Sequence, residues 1–190
     1  IEWFERFPVI AEDLGFITPD VHEVMDRFQF PGMKVLLFAF GDDDPMHPFL
    51  PHTYPRNCVA YTGTHDNNTL RGWFENEALP VEKKRLFRYL YRNPPANEIH
   101  WEMIRLLMMS VADTAVFPMQ DILNLGEDAR MNRPSTPSGN WTWRLAPGQI
   151  IPAIEDTLST MTETYGRAPE PVADDPECEV GGREEEKVRG

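Results

Sequence analysis

Cysteine is almost absent from this sequence: 190 residues hold two, Cys58 and Cys178, far apart and in unlike contexts. Such a pair makes neither a disulfide framework nor a zinc-ligand spacing, which suits a reducing compartment. Basic charge is scarce too, with 18 Lys and Arg against 31 Asp and Glu and a formal net charge of −13. Binding to a phosphate backbone needs clustered cations, so no nucleic-acid partner is expected. A neutral, hydroxyl-rich ligand, or solubility alone, fits the balance better. No apolar run is long enough to span a bilayer, and no basic stretch leads into a short apolar one. Neither a membrane partner nor secretion is therefore expected, and the expected location is the cytoplasm, or a plastid in a plant or alga. The first residues, "IEWFERFP", read as the middle of a pattern and predict a piece of a longer chain.

What is present is an alternation of apolar runs and amphipathic stretches. Residues 8–11 read as a short apolar strand. "TPDVHEVMDRFQF" follows as a helix, with Thr18 as N-cap, Pro19 at the first helical position and Val21, Val24, Met25 and Phe28 on one face. Pro31-Gly32 stops it. "MKVLLFAF", Met33 to Phe40, is a continuous apolar run of the kind found in strands buried on both faces. After a loop rich in Asp, Pro and His, "CVAYTGT" (Cys58–Thr64) predicts a third strand and "HDNNTLRGWFENE" a helix. "VEKKRLFRYLYRN" and "EIHWEMIRLLMMSVAD" predict two more helices, and "TAVFPMQD" a fourth strand that closes the regular elements. This order predicts an α/β fold with parallel strands. From Ala168 the chain turns to charge, Pro and Gly, and residues 168–190 read as a disordered acidic tail.

Polar clusters stand just after the strand ends: Glu12-Asp13, Asp42 to Asp44, His65-Asp66 and Gln120-Asp121. The C-terminal ends of parallel strands are where α/β folds place their sites. In "YTGTHDNNT", Asn67, Asn68 and Thr69 are explained by capping of the following helix. His65-Asp66 is not. A His and a carboxylate side by side can grip vicinal sugar hydroxyls, the carboxylate accepting two hydrogen bonds. Of the two acids in "IAEDLG", one faces the site and the other the following helix. Glu12 has the longer reach and can act as an acid near neutral pH when partly desolvated, whereas Asp13 suits a structural bond to loop backbone. Most aromatics belong to the core, with Phe40 the best candidate to stack on a sugar. His47, His52 and Cys58 lack the tight spacing of a metal site, and no metal or other cofactor is expected. Arg130 and Arg133 in "ARMNRP" are expected to be structural.

Taken in order, "IAEDLG", "PGMKVLLFAF", "HPFLPHTYP", "YTGTHDNNT", "GWF" and "ARMNRPSTPSGNWTWRL" resemble the 4-alpha-glucanotransferases. These are the amylomaltases or disproportionating enzymes, glycoside hydrolase family 77 of the alpha-amylase clan. The resemblance runs from Pro8 to Leu145. It implies a (β/α)8 TIM barrel, retaining chemistry and transfer of an α-1,4-glucan segment to a sugar hydroxyl. By the same resemblance, Glu12 matches the general acid/base and Asp66 the transition-state-stabilising acid. His65 matches a sugar-contacting neighbour, and Asp42, Asp43 and Asp44 fall in an acidic substrate-contacting loop. Asn67 and Asn140 are further candidates for sugar contact, Asn140 at the rim of the site.

The family's nucleophile is an Asp in a motif like R-x-D-H-F-R-G, upstream of the acid/base, and these 190 residues contain no such motif. The chain is therefore expected to be strands five to eight of the barrel, residues 1–167, with the N-terminal half needed to complete the site. Two other readings stay open: an α-glucan hydrolase of the same clan, and a non-catalytic glucan-binding fragment.

Overall fold

The computed structural model describes residues 9–169. Helix α1, Pro19–Phe28, begins as its cap predicts: Thr18 is extended (φ −82°, ψ 154°) and its carbonyl accepts from the Val21 and His22 amides. Gln29 in the left-handed region (φ 55°) ends it. Of the expected apolar face only Met25 is buried, while Val21, Val24 and Phe28 stay exposed.

Three strands form one parallel sheet in sequence order, β1 (Gly32–Val35), β2 (Cys58–Tyr61) and β3 (Thr114–Val116). Gly32 faces Cys58, and Val59 faces Thr114. The first expected strand, residues 8–11, does not form a ladder in its described part. Residues 9–13 run beside β1, held by the Ala11 amide on the Pro31 carbonyl and by the Asp13 carboxylate on the Met33 amide. A β-carbon at Gly32 would strike that carboxylate, so glycine is what allows the two segments to approach.

The run Met33–Phe40 is only half strand. Residues Leu36–Phe40 wind into a 3-10 helix. Leu36, Leu37, Ala39 and Phe40 are buried and Phe38 is exposed, a helical and not an alternating pattern. An unbroken apolar run carries no period by which to separate the two cases.

Helix α2, Leu70–Gly72, starts on Thr69, whose hydroxyl accepts from the Gly72 amide, and widens at once into a π turn over Trp73–Glu77. Then come α3 (Pro80–Leu90) and α4 (Ile99–Met108). In α4 the side chains of Ile99, Met103, Ile104 and Leu107 are wholly enclosed. Such burial is the main favourable contribution to the fold, about 1.5–3 kcal/mol per large aliphatic group. A short helix α5, Met119–Ile122, follows β3.

Helix α6, Pro152–Thr164, was not expected from the sequence. Its Ile154, Leu158 and Met161, with Tyr165 just beyond, pack partly buried against the core. Of the tail expected over 168–190, only residues 168 and 169 are described, and the remainder lies outside the described residues.

Candidate active site

A cavity of about 490 Å3 opens at the C-terminal side of the sheet, and Glu12, Phe38, His65 and Asp66 line it with Asn67. The segment beside β1 brings Glu12, and the loop after β2 brings His65 and Asp66. Glu12 and Asp13 divide as alternate residues of an extended chain must: one side chain reaches the cavity, the other ties down the Met33 amide.

The loop from Gly63 to Thr69 is built by its own side chains. The Asn67 amide oxygen accepts from both the Thr64 amide and the Thr64 hydroxyl, closing a tight turn. Asn67 lines the cavity, but its carbonyl end is engaged in that turn. His65 Nε2 lies 3.3 Å from Asp66 Oδ1. The same oxygen accepts from Asn132 Nδ2 at 2.5 Å, and the Asn132 amide donates to the His65 carbonyl. Arg130 donates to the Asp66 carbonyl, the Glu77 carboxylate and the Asn132 carbonyl, so one guanidinium joins three segments. Trp141 (φ 61°) packs its ring 5.1 Å from that of His65.

Asp121 lies behind the loop, only 2% exposed. It accepts from the Thr62 hydroxyl at 2.6 Å and from the Leu70 amide at 2.7 Å. Burial pushes its carboxyl up to about 6, against the lowering effect of those two bonds.

The structure does not bring every candidate to this cavity. Phe40, expected to stack on sugar, is 1% exposed and packs against Trp73 and Tyr89, so its ring faces are not free. The 3-10 turn swings Phe38 outward in its place, into the cavity with Glu12. Asp42, Asp43 and Asp44 line a different cavity of about 340 Å3. Asp43 pairs with Arg88, whose guanidinium holds the carboxyl below the usual carboxylate range. Asp42 and Asp44 cap backbone amides of their own loop. Asn140 bonds the Arg133 amide and Thr136, closing the 133–140 loop instead of lining the cavity. Sequence reasoning did not single out Asn132 for this site, and it counted Trp141 among aromatics able to stack on sugar but mostly expected in the core. Their motif "ARMNRPSTPSGNWTWRL" was noticed, but which of its polar groups folds back on Asp66 depends on loop closure. Among the described residues no cluster of three or more His, Cys, Asp or Glu is disposed to hold a metal ion.

Comparison with known proteins bears on this geometry. The family model described as 4-alpha-glucanotransferase matches residues 2–150. The chain belongs to the 4-alpha-glucanotransferase family. It is 52% identical over 165 residues to the 4-alpha-glucanotransferase of Synechocystis, covering 86% of this chain and 32% of that protein. Against the Thermus thermophilus 4-alpha-glucanotransferase it is 51% identical over 174 residues, covering 87% of this chain and 34% of the relative. Among solved structures, an amylomaltase from Streptococcus agalactiae in complex with acarbose superposes with a TM-score of 0.80 at 35% identity. That match covers 88% of this chain and 34% of the amylomaltase. The chain thus spans about a third of the length of these 4-alpha-glucanotransferase relatives.

Proposed function

We propose that these residues supply the acid/base and transition-state-stabilising half of a retaining 4-alpha-glucanotransferase site. In this reading they form the second half of a (β/α)8 barrel, and the nucleophilic carboxylate comes from outside residues 1–190. The observation that carries it is the shared cavity, which Glu12, His65 and Asp66 line together although 53 residues or more separate Glu12 from the other two in sequence.

The chemistry follows from what each group can do. Glu12, protonated, delivers its proton to the glycosidic oxygen as the bond to the sugar carbon breaks and the outside carboxylate takes that carbon. Ionised, it then accepts the proton of an incoming sugar hydroxyl, which displaces the carboxylate and leaves the configuration unchanged. Asp66, its Oδ1 held by Asn132, accepts hydrogen bonds from ring hydroxyls, and these strengthen as positive charge grows on the ring. Phe38 lines the cavity with His65, and Trp141 packs its ring against His65, so both offer apolar surface near the site. The ligands of this site are α-1,4-glucans and maltooligosaccharides.

The test is product analysis with maltotriose and the full-length protein. A ladder of shorter and longer glucans is the expected result. Glucose and maltose without longer products would replace transfer by hydrolysis, and no products at all would leave a glucan-binding role.

A further inference from the structure

The buried carboxylate of Asp121 takes no part in the chemistry above, and burying an ionisable group is costly unless something uses it. Its two hydrogen bonds are unusual in where they land. Thr62 is the residue that leaves β2, and it is fully enclosed. Leu70 is the first residue of α2, fully enclosed as well. Between them lies the seven-residue loop that presents His65 and Asp66. One carboxylate from a distant part of the chain therefore grips both ends of that loop, 59 and 51 residues away in sequence.

The rest of the loop's described support is local, sits on its outer side, or holds one foot alone, as the Leu37 amide does by donating to the Thr62 carbonyl. Thr64 and Asn67 close its inner turn, and Arg130 and Asn132 hold its tip. Among the described residues only Asp121 hydrogen-bonds both feet, and it also lines the small cavity of about 230 Å3 with His65 and Trp141. A loop whose feet are pinned to one rigid point has its tip placed by the sheet. A loop with one foot released can tilt, and a misplacement of about 1 Å at a reacting group can reduce rate about a hundred-fold.

We propose that Asp121 is a positioning residue, which sets the pose of His65-Asp66 by pinning both feet of their loop. The proposal rests on the glucan-transfer reading for its kinetic consequence but not for its structural one. The test uses the full-length protein carrying Asp121→Asn, Thr62→Val or Thr62→Ser. An asparagine can keep one of the two acceptor bonds, valine removes one donor, and serine keeps it. With maltotriose, Asp121→Asn and Thr62→Val should lower kcat by about ten- to a hundred-fold with KM within about threefold, and Thr62→Ser should regain most of the loss. Amide hydrogen exchange on the same variants should quicken by about tenfold or more over residues 63–70 while α4 keeps its protection.

Unchanged exchange over 63–70, or exchange that quickens equally in α4, overturns the proposal. So does a rise in KM alone. If the wild-type protein makes no transfer products but the loop still loosens in both variants, the transfer reading fails and the positioning role stands.

Discussion

At the scale of single residues, the proposed site separates groups assigned to the substrate from groups that aim them. Among the described residues Glu12 has no hydrogen-bond or ion-pair partner, whereas Asp66 is already engaged by His65 and Asn132. Replacing Glu12 by Gln in the full-length protein removes the proton donor and acceptor without changing shape. The expected loss in kcat is about 10²–10⁴-fold with an unchanged melting temperature, read from initial rates and a thermal scan. Asn132→Ala should act more weakly, since Asp66 keeps its charge and loses one aiming bond. About tenfold in kcat is expected, and less when Glu12 is already Gln. The sequence allowed Glu12, His65 and Asp66 to be read because they follow apolar runs directly. Phe40 and Phe38 were exchanged because their directions depend on a 3-10 turn that an all-apolar run does not announce. Asn132 could not be foreseen, since its bond to Asp66 spans 66 residues and is set by how the 130–141 loop closes.

At the scale of elements, the close packing of residues 9–13 on β1 shows how a structural detail supports the site. The Asp13 carboxylate occupies the space that a side chain at residue 32 would need. Gly32→Ala should therefore lower the melting temperature, and the Gly32→Ala, Asp13→Ala double variant should fall short of the sum of its parts by about 0.5 kcal/mol or more. Full additivity in urea denaturation would contradict the contact. Helices with strong punctuation were legible from the chain: α1 has Thr18-Pro19 at its start, and α3 and α4 have clear apolar stripes. Helix α6 carried the same information, with Pro152 first and apolar residues at 154, 158 and 161, yet its polar surroundings hid it.

At the scale of the whole molecule, two buried ionisable groups oppose each other in acid. Burial pulls the His100 imidazole down to about 4 from an ordinary 6.5, so only the unfolded chain takes up its proton between those values. Its contribution to stability is present above pH 6.5 and is lost as pH falls through 4. Asp121, raised to about 6 from 3.8, works the other way: its contribution is full below pH 3.8 and is lost as pH rises through 6. His100→Leu should therefore flatten the fall in melting temperature on acidification from pH 6.5 to 4, or reverse its sign. The exposed Val21, Val24 and Phe28 of α1, and the side of β3 that no strand among the described residues pairs with, carry a second expectation. If the barrel reading is right, the 190-residue chain alone neither disproportionates maltotriose nor resists mild denaturant, and measurable transfer by it would contradict the need for a second half.

Among the described residues the strands pair in chain order, β1 with β2 and β2 with β3. A ribosome releasing this segment would hand each new strand a finished neighbour to dock on. Synthesis itself can then lay down the sheet edge by edge, in a single order.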